Sequence, residues 1–357
     1  MKPRSSDTVT VLIVGAGLIG ASIGLALRQA GVNVVINDAE RSHALVAAGL
    51  GAGNVADPEP EGVDLVVVAV PPRAIAPVVA EALRRFPQAV VTDVGSVKAP
   101  ILDALADLAA DCGRYIGSHP MAGSHRSGPL TARGDLFHDR PWVITPHPEA
   151  EPRCQEVVEK LATHCGAIVE IMTPIEHDVA VAKVSHLPQI MASLTAGRLV
   201  EASPSQLRLA GQGLRDVVRI AASDPDLWEQ IIAANETAVR AELAAIQDDL
   251  VSLVGQLNEP EVVHDFIDYG RIGARRLPGK HGHDIGATEQ VVVEIPDSPG
   301  ALAELFAGVA EAGVNVEDLE IEHAAEREVG YLSITVARER TGALTRALTE
   351  SGWTVRG

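Results

Sequence analysis

Aromatic side chains make up only 3% of this 357-residue chain, and acidic side chains outnumber basic ones. Proteins that bind single-stranded nucleic acid use aromatic rings on which the bases stack. Proteins that bind phosphate backbones or anionic membranes need an excess of Lys and Arg. Here 29 Lys and Arg stand against 48 Asp and Glu, a formal net charge of −19. We therefore expect no nucleic-acid partner and no membrane partner.

Cysteine is also scarce, and long apolar runs are few. Cys112, Cys154 and Cys165 fit neither a disulfide framework nor a metal-binding spacing, so we expect a cytoplasmic protein without a bound metal. A membrane-spanning helix needs about 20 apolar residues, and no segment after the first 28 residues approaches that length. The uncharged stretch between Asp7 and Arg28 is similar to a secretory signal, but its four ordered glycines favour a nucleotide-binding turn.

The length predicts more than one domain, because single cores stop growing below this size. Within residues 1–173, short apolar runs alternate with helical patterns such as Leu18–Ala30 and Pro77–Arg85. Unbroken apolar strands between helices predict an α/β fold, a Rossmann-like doubly wound parallel sheet covered on both faces. The predicted strands are Val9–Val14, Val32–Asn37, Leu65–Val70, Ala89–Thr92, Tyr115–Gly117, Trp142–Thr145 and Ile168–Met172.

The second half of the chain has a different organisation. Residues 174–272 predict an all-helical domain whose apolar periodicity, as in Ile231–Leu257, is sufficient to bury a partner subunit, so we expect a homodimer. Residues 273–288 read as a glycine-rich, locally basic linker. Residues 289–357 predict a small ferredoxin-like domain in the order βαββαβ.

The segment VLIVGAGLIG predicts a dinucleotide site. Its glycines have the G-x-G-x-x-G spacing, directly after a predicted strand and at the start of a predicted helix. The next strand ends at Asp38, close to the position of a ribose-binding carboxylate, which favours NAD; Arg41 nearby leaves NADP open. The expected cofactor-binding residues are Gly15, Gly17, Leu18, Ile19, Gly20, Asp38 and Pro71.

Five further segments have polar or small residues where a substrate is expected. Ligands of doubly wound sheets bind beyond the carboxyl ends of the strands. AVPPR follows the third predicted strand, DVGSVK spans Asp93–Lys98, and SHPMAG spans Ser118–Gly123. The helical domain adds VSHLPQ at Val184–Gln189 and GQGLRDVVRIAASDPDLW at Gly211–Trp228. With these motifs in this order, the chain resembles the prephenate dehydrogenase family over nearly its whole length, and its C-terminal unit is similar to an ACT domain.

The resemblance implies oxidative decarboxylation of prephenate to 4-hydroxyphenylpyruvate with reduction of NAD, in tyrosine biosynthesis. On this basis His119 is the catalytic base, and imidazole suits that task near neutral pH. Ser96 matches a serine that hydrogen-bonds both the substrate hydroxyl and this histidine. His186 matches a substrate-orienting histidine, and Arg219 matches a carboxylate-binding arginine whose planar fork suits the dianionic substrate.

Other interpretations are also compatible with the sequence. Arogenate dehydrogenase performs the same chemistry on a substrate with an amine in its side chain, and a non-catalytic nucleotide-binding and amino-acid-binding regulator is a third possibility. Family members commonly carry a glutamate where this chain has His125. In the C-terminal unit, similarity to ACT domains implies an L-tyrosine effector site at Asp297, Gly300 and Asn315; the alternative is a purely structural pairing module.

Overall fold

The structure, a computed structural model, describes residues 9–108, 112–123, 128–277, 288–296, 298–323 and 329–356. The chain divides into two compact units, residues 1–248 and residues 249–357. Most of the predicted linker at 273–288 lies outside the described residues. The boundary between the two units falls inside a helix that precedes that linker.

A seven-stranded sheet organises the first unit, with the strand order β2-β1-β3-β4-β5-β6-β7. Strands β1 to β5 are parallel neighbours, whereas β5 and β6 pair antiparallel, with His119 opposite Val143. The prediction of a parallel sheet is therefore wrong between β5 and β6. A parallel return needs a long crossover, usually a helix, and the described residues between β5 and β6 contain no α-helix. The strands are β1 Thr10–Val14, β2 Asn33–Asn37, β3 Leu65–Val68, β4 Val90–Asp93, β5 Tyr115–Pro120, β6 Pro141–Thr145 and β7 Ile168–Ile171.

Helices cover both faces of this sheet, as the doubly wound prediction requires. Neighbouring residues of β1 enter opposite cores: Ile13 packs in the cluster that holds α1, α2 and α5, and Leu12 in the cluster that holds α3 and α4. This alternation follows from the period of two along a strand. The five helices are α1 Leu18–Gln29, α2 Arg41–Gly49, α3 Pro72–Arg85, α4 Ala99–Leu108 and α5 Pro152–His164.

After Thr173 the first unit is helical, as predicted. A capping box at Thr173 and Glu176 starts α6, and a π-helical turn at Ala182–His186 connects α6 to α7. Within the periodic stretch Ile231–Leu257, Asn235 separates α10 from α11, because its backbone leaves the helical region (φ −108°, ψ 30°). The helices are α6 Pro174–Val181, α7 Leu187–Gly197, α8 Pro204–Leu207, α9 Gln212–Ile220, α10 Pro225–Ala234 and α11 Glu236–Gly255.

The second unit contains the end of α11, helix α12 and a four-stranded antiparallel sheet with the order β11-β8-β10-β9. After α12 its elements follow one another in the predicted βαββαβ order. Buried apolar side chains of β8, α13, β10 and α14, among them Val293, Leu305 and Leu332, form its core. The elements are α12 Pro260–Ala274, β8 Thr288–Pro296, α13 Ala301–Glu311, β9 Asp318–His323, β10 Val329–Ala337, α14 Arg338–Glu350 and β11 Thr354–Arg356.

Neither a membrane span nor a metal cluster is found in the part of the chain that the structure describes. Among the described residues, no helix is long and apolar enough to cross a membrane. In the same ranges, no group of three or more His, Cys, Asp or Glu side chains is arranged to hold a metal ion. The cysteines Cys112, Cys154 and Cys165 are buried, and no disulfide bond is formed among the described residues.

Candidate active site

The glycine-rich turn between β1 and α1 has the shape that a dinucleotide requires. Gly15 has φ +106°, and a Cβ there would lie 2.2 Å from the Ala69 carbonyl oxygen. A Cβ on Gly20 would lie 1.9 Å from the Gly15 carbonyl oxygen, so only glycine allows this turn to pack against β3. At Gly17, the N-cap residue of α1, a Cβ would have no described atom within 4 Å. A ligand can therefore approach the backbone at Gly17 and the free N–H groups of Leu18 and Ile19.

Asp38 faces this turn from the end of β2. Its Oδ2 accepts a hydrogen bond from the Ala16 N–H at 2.6 Å, and its Oδ1 accepts one from the Glu40 N–H at 2.8 Å. His43 Nδ1 lies 3.9 Å from the same Oδ1. Arg41, the first residue of α2, is exposed. The carboxylate thus lies beside the glycine turn, where the sequence predicts it.

The carboxyl ends of β3, β4 and β5 carry the next group of predicted residues. Pro71 is the N-cap residue of α3, directly after β3, and Ser96 lies half-buried in the loop between β4 and α4. His119 is the penultimate residue of β5, so the strand extends three residues beyond its predicted end at Gly117. Among the described residues, no hydrogen bond joins Ser96 to His119, and the role of Ser96 stays a prediction.

The His119 ring contacts a second histidine. Its Nδ1 lies 2.9 Å from Nε2 of His177, and the two rings meet edge to face with centroids 5.1 Å apart. His177 Nδ1 lies 2.7 Å from Oδ1 of Asp178. His177 is fully buried and Asp178 is 5% exposed, whereas His119 is half-buried. These three side chains form a hydrogen-bonded chain that starts inside the protein and ends at the carboxyl edge of the sheet.

The Asp178 carboxylate also caps the N-terminus of α4. Its Oδ1 accepts the Lys98 N–H at 2.8 Å, and its Oδ2 accepts the Ala99 N–H at 2.9 Å. The first N–H groups of a helix have no partner within the helix, and a carboxylate there is favoured by the helix dipole. This contact fastens α6 to the nucleotide-binding sheet.

Asn235 and His186 lie behind this chain. Asn235 Nδ2 donates to the Asp178 carbonyl oxygen at 2.8 Å and lies 3.2 Å from Nδ1 of His186. The amide nitrogen of Asn235 can only donate hydrogen bonds, so Nδ1 of His186 is the acceptor in this contact. In the neutral ring, the proton is then on Nε2 of His186. His186 is 1% exposed, and its ring meets Trp228 edge to face with centroids 6.0 Å apart. Trp228 and Gln189 also line a cleft of about 440 Å³ between α7 and α10.

A buried ion pair supports β5 from the other side. The Lys98 ammonium pairs with Asp93 and donates to the Ser118 carbonyl oxygen at 2.7 Å. Tyr115 donates its hydroxyl proton to Asp93 Oδ2 at 2.7 Å, and Ser118 Oγ donates to the Asp93 carbonyl oxygen at 2.8 Å. Burial lowers the pKa of Lys98, and the Asp93 carboxylate opposes that shift. Burial, with Asp93 alongside, raises the pKa of Tyr115 well above its usual value.

The surroundings keep the three site histidines uncharged near neutral pH. Burial lowers the pKa of His119 well below 6.5, and His177, Lys98 and His186 lower it further. Burial also lowers the pKa of His177, against the opposing effect of its hydrogen bond to Asp178. Burial lowers the pKa of His186 to about 4. A neutral imidazole at His119 is the form that accepts a proton.

Two family models match this chain. The model described as "Prephenate dehydrogenase, nucleotide-binding domain" matches residues 23–171, and the one described as "Prephenate dehydrogenase, dimerization domain" matches residues 173–263. Together they cover more than half of the sequence. The chain belongs to the prephenate dehydrogenase family.

Individual relatives agree with this assignment. A probable prephenate dehydrogenase of Streptomyces niveus is 36% identical over 96% of this chain and 98% of its own length. The crystal structure of Aquifex aeolicus prephenate dehydrogenase in complex with hydroxyphenyl propionate and NAD+ is similar at 27% identity and a TM-score of 0.67, covering 76% of this chain and 99% of that one. Synechocystis arogenate dehydrogenase is similar at 25% identity and a TM-score of 0.64, covering 75% of this chain and 100% of that one.

Arg219, Gly300 and Asn315 are the remaining predicted residues that the structure describes. Arg219 lies in the last turn of α9, exposed, and no ion pair or hydrogen bond links it to His119 in the part of the chain that the structure describes. His125 and Asp297 lie outside the described residues. Gly300 is the left-handed N-cap residue of α13 (φ +97°), and Asn315 donates its side-chain N–H to Glu317 at 2.9 Å.

Sequence reasoning missed four features of the site: His177, Asp178, Asn235 and the buried pairing of Lys98 with Asp93. Only one signal was present along the chain, the adjacent His and Asp just after the Thr173-Pro174 boundary. The contacts of His177 with His119 and of Asp178 with Lys98 join distant parts of the chain, so their partners cannot be identified without the fold.

Proposed function

We propose that this prephenate dehydrogenase family member converts prephenate to 4-hydroxyphenylpyruvate and CO₂ with NAD as hydride acceptor, and that His119 is its base. One observation carries the proposal: a neutral, half-buried imidazole lies at the carboxyl end of β5, at the edge of the sheet where the glycine turn opens. This edge is where a doubly wound sheet binds both nucleotide and substrate.

The residues at the turn fit a dinucleotide. The open backbone at Gly17 and the N-terminus of α1 suit a pyrophosphate, and Asp38 suits the ribose hydroxyls. The Asp38 carboxylate would repel a 2′-phosphate, which supports NAD over NADP. When bound, the nicotinamide accepts the hydride that the substrate ring carbon gives up.

His119 then acts on the hydroxyl of that ring carbon. The hydroxyl proton moves towards the imidazole while the hydride leaves and the bond to the ring carboxylate breaks, releasing CO₂ and making the ring aromatic. The proton returns to the product oxygen, because the phenol that forms holds a proton more tightly than the buried imidazole does. The step consumes one NAD and releases no net proton.

The remaining predicted residues have supporting roles in this proposal. Arg219 binds a substrate carboxylate with its guanidinium, for which its solvent-accessible position on α9 leaves it free. Ser96 donates to or accepts from the substrate hydroxyl at the β4–α4 loop. His186 is nearly fully buried, and its Nε2–H is the donor with which it orients the substrate.

We also propose a homodimer formed through the helical region 174–272, in the cytoplasm. The match to a dimerization-domain model supports the dimer, as do exposed apolar side chains on α7, α9 and α10, among them Leu194, Val217 and Leu227. Cysteines that form no disulfide bond among the described residues support a reducing compartment.

We further propose that the βαββαβ unit is an ACT domain that binds L-tyrosine near Gly300 and Asn315. The left-handed backbone at Gly300, at the start of α13, supports this assignment, because a helix N-terminus offers N–H donors to a carboxylate. The two matching family models end at residues 171 and 263, before this unit begins.

An assay of NADH formation tests these proposals. Prephenate should support turnover of the full-length chain, and His119→Asn should abolish it while NAD still binds. A greater kcat/KM with arogenate would transfer the assignment to the alternative substrate. L-tyrosine should inhibit the wild-type chain and should no longer inhibit Gly300→Val, whose new side chain disfavours the left-handed backbone.

A further inference from the structure

The hydrogen bonds behind His119 determine which of its ring nitrogens is free to take a proton. A neutral imidazole carries its proton on one nitrogen, and only the other nitrogen is a base. Nδ1 of His119 is occupied by His177 Nε2 at 2.9 Å. Substrate chemistry therefore requires the lone pair to be on Nε2, and hence the proton to be on Nδ1.

Asp178 can only accept hydrogen bonds. Its two oxygens accept the backbone N–H groups of Lys98 and Ala99 at 2.8 and 2.9 Å, at the start of α4. A carboxylate that receives two N–H donors at a helix N-terminus acts as an acceptor. His177 Nδ1, 2.7 Å away, must therefore be the donor of their hydrogen bond.

The direction of each following bond is then fixed. With its proton on Nδ1, neutral His177 presents a lone pair at Nε2, and His119 Nδ1 must donate to it. His119 Nε2 is left as the base. Without Asp178, His177 could instead carry its proton on Nε2 and donate to His119, whose Nε2 would then be protonated and inactive.

We propose that His177 and Asp178 are positioning residues that hold His119 in the Nδ1–H tautomer. The inference rests on the proposed function, in which His119 is the base. As the hydroxyl proton moves to His119 Nε2, the charge that develops on the imidazole is stabilised through His177 by the Asp178 carboxylate. A buried carboxylate that orients a catalytic imidazole in this way affects turnover by ~10⁴-fold in other enzymes.

Burial protects the hydrogen bonds of His177 and Asp178 from exchange with water. His177 is fully buried and Asp178 is 5% exposed, so water does not replace either partner easily. The Asn235 side chain holds the Asp178 backbone carbonyl, and α4 holds the Asp178 carboxylate. Asp178 therefore has a fixed position, so that it can hold the tautomers of His177 and His119.

The direct test is ¹⁵N NMR of the full-length chain labelled at histidine. The His119 signals are assigned as those lost in His119→Asn. We expect a protonated Nδ1 and an unprotonated Nε2 for His119 in the resting protein. A His119 whose Nε2 carries the proton would overturn the proposal, whatever the kinetics of any variant.

A pair of variants provides the kinetic test. His177→Phe removes the acceptor for His119 Nδ1–H, and kcat should fall by about 10²–10³-fold with KM values changed less than about threefold. His177→Gln keeps an acceptor oxygen and should recover at least about tenfold of that loss. His147→Gln is the control, since His147 is also buried but bonds the Tyr115 carbonyl oxygen. Equal kcat in the Phe and Gln variants would overturn the proposal.

The two hypotheses fail in different ways. A wild-type chain that does not turn over prephenate would remove the proposed function, whereas turnover that survives His119→Asn would remove only the proposed base. Turnover abolished by His119→Asn but unchanged in His177→Phe would remove only the positioning role.

Discussion

The Lys98 ammonium donates a 2.7 Å hydrogen bond to the carbonyl oxygen of Ser118, the residue directly before His119. The same ammonium pairs with Asp93, and both side chains are almost completely buried. The backbone that carries the proposed base is therefore held by an ion pair on the adjacent strand and loop.

Removing one partner of this ion pair should destabilise the fold. Lys98→Met leaves the Asp93 charge buried without its partner, and we expect the free energy of unfolding to fall by about 3–5 kcal/mol. Urea denaturation measures this. Lys98→Met combined with Asp93→Asn should lose less, because no unpaired charge remains. Arg84→Met, which breaks an exposed pair with Glu81, should change stability little. A Lys98→Met protein as stable as the wild type would contradict the prediction.

Substitutions at two glycines of the turn should have different effects, one on folding and the other on cofactor binding. Gly20→Ala forces a Cβ against the Gly15 carbonyl oxygen and should lower the melting temperature or prevent folding. Gly17→Ala meets no protein atom, so the melting temperature should change by only a few degrees, whereas NAD affinity should fall by about tenfold or more. Calorimetric titration with NAD measures the affinity. Unchanged affinity in Gly17→Ala would remove the phosphate site from this turn.

Asp38 should determine cofactor choice. Asp38→Ala removes both the acceptor for ribose hydroxyls and the charge that repels a 2′-phosphate, so the ratio of kcat/KM for NAD to that for NADP should fall by at least about tenfold. Because Asp38 also accepts the Ala16 N–H, a melting curve must show that the variant is folded. Arg41→Ala is the matched comparison: if Arg41 binds a 2′-phosphate, this variant changes the ratio in the opposite direction.

Acid should destabilise the fold partly through the buried histidines. Burial lowers the pKa of His186 to about 4 in the folded protein, so between pH 6.5 and about 4 the unfolded chain binds more protons than the folded one. Stability should therefore decrease as pH falls through this range. The urea midpoint of His186→Phe should decrease less steeply than that of the wild type. His164→Gln, at an exposed position on α5, should retain the wild-type slope. Identical slopes in all three proteins would contradict the prediction.

The pH dependence of turnover provides a related check. Since burial lowers the pKa of His119 well below 6.5, the imidazole should remain a base in mildly acidic solution. We expect kcat/KM for prephenate to stay constant as pH falls through 6.5 and to decline only at lower pH. A decline centred on 6.5 or above would indicate that His119 is accessible to water in the working enzyme.

Local patterns made the fold largely predictable. The glycine spacing predicts the turn because Gly15 and Gly20 are required by contacts with Ala69 and with the Gly15 carbonyl oxygen. The end of β5 was not predictable: GSHP reads as a loop by composition, yet Gly117 to Pro120 pair with β6. The break at Asn235 was also missed, because the apolar period continues across it.

The site was predictable only in part. His119 and Ser96 belong to motifs that can be recognised along the sequence. His177 lies 58 residues from His119, and Asp178 lies 80 residues from Lys98, so these contacts depend on how α6 docks on the sheet. The sequence contains no pairing rule for such buried polar side chains, whose partners are set by tertiary geometry.

The capping of α4 by Asp178 has a consequence for synthesis of the chain on the ribosome. All seven strands of the sheet have been made by residue 171, but the carboxylate that receives the start of α4 is made later, together with the histidine that faces His119. The glycine turn can therefore form in the nascent chain before His177 and Asp178 are available to hold His119 in its Nδ1–H tautomer. On the proposed mechanism, His119 therefore reaches its working tautomer only after α6 has folded onto the sheet.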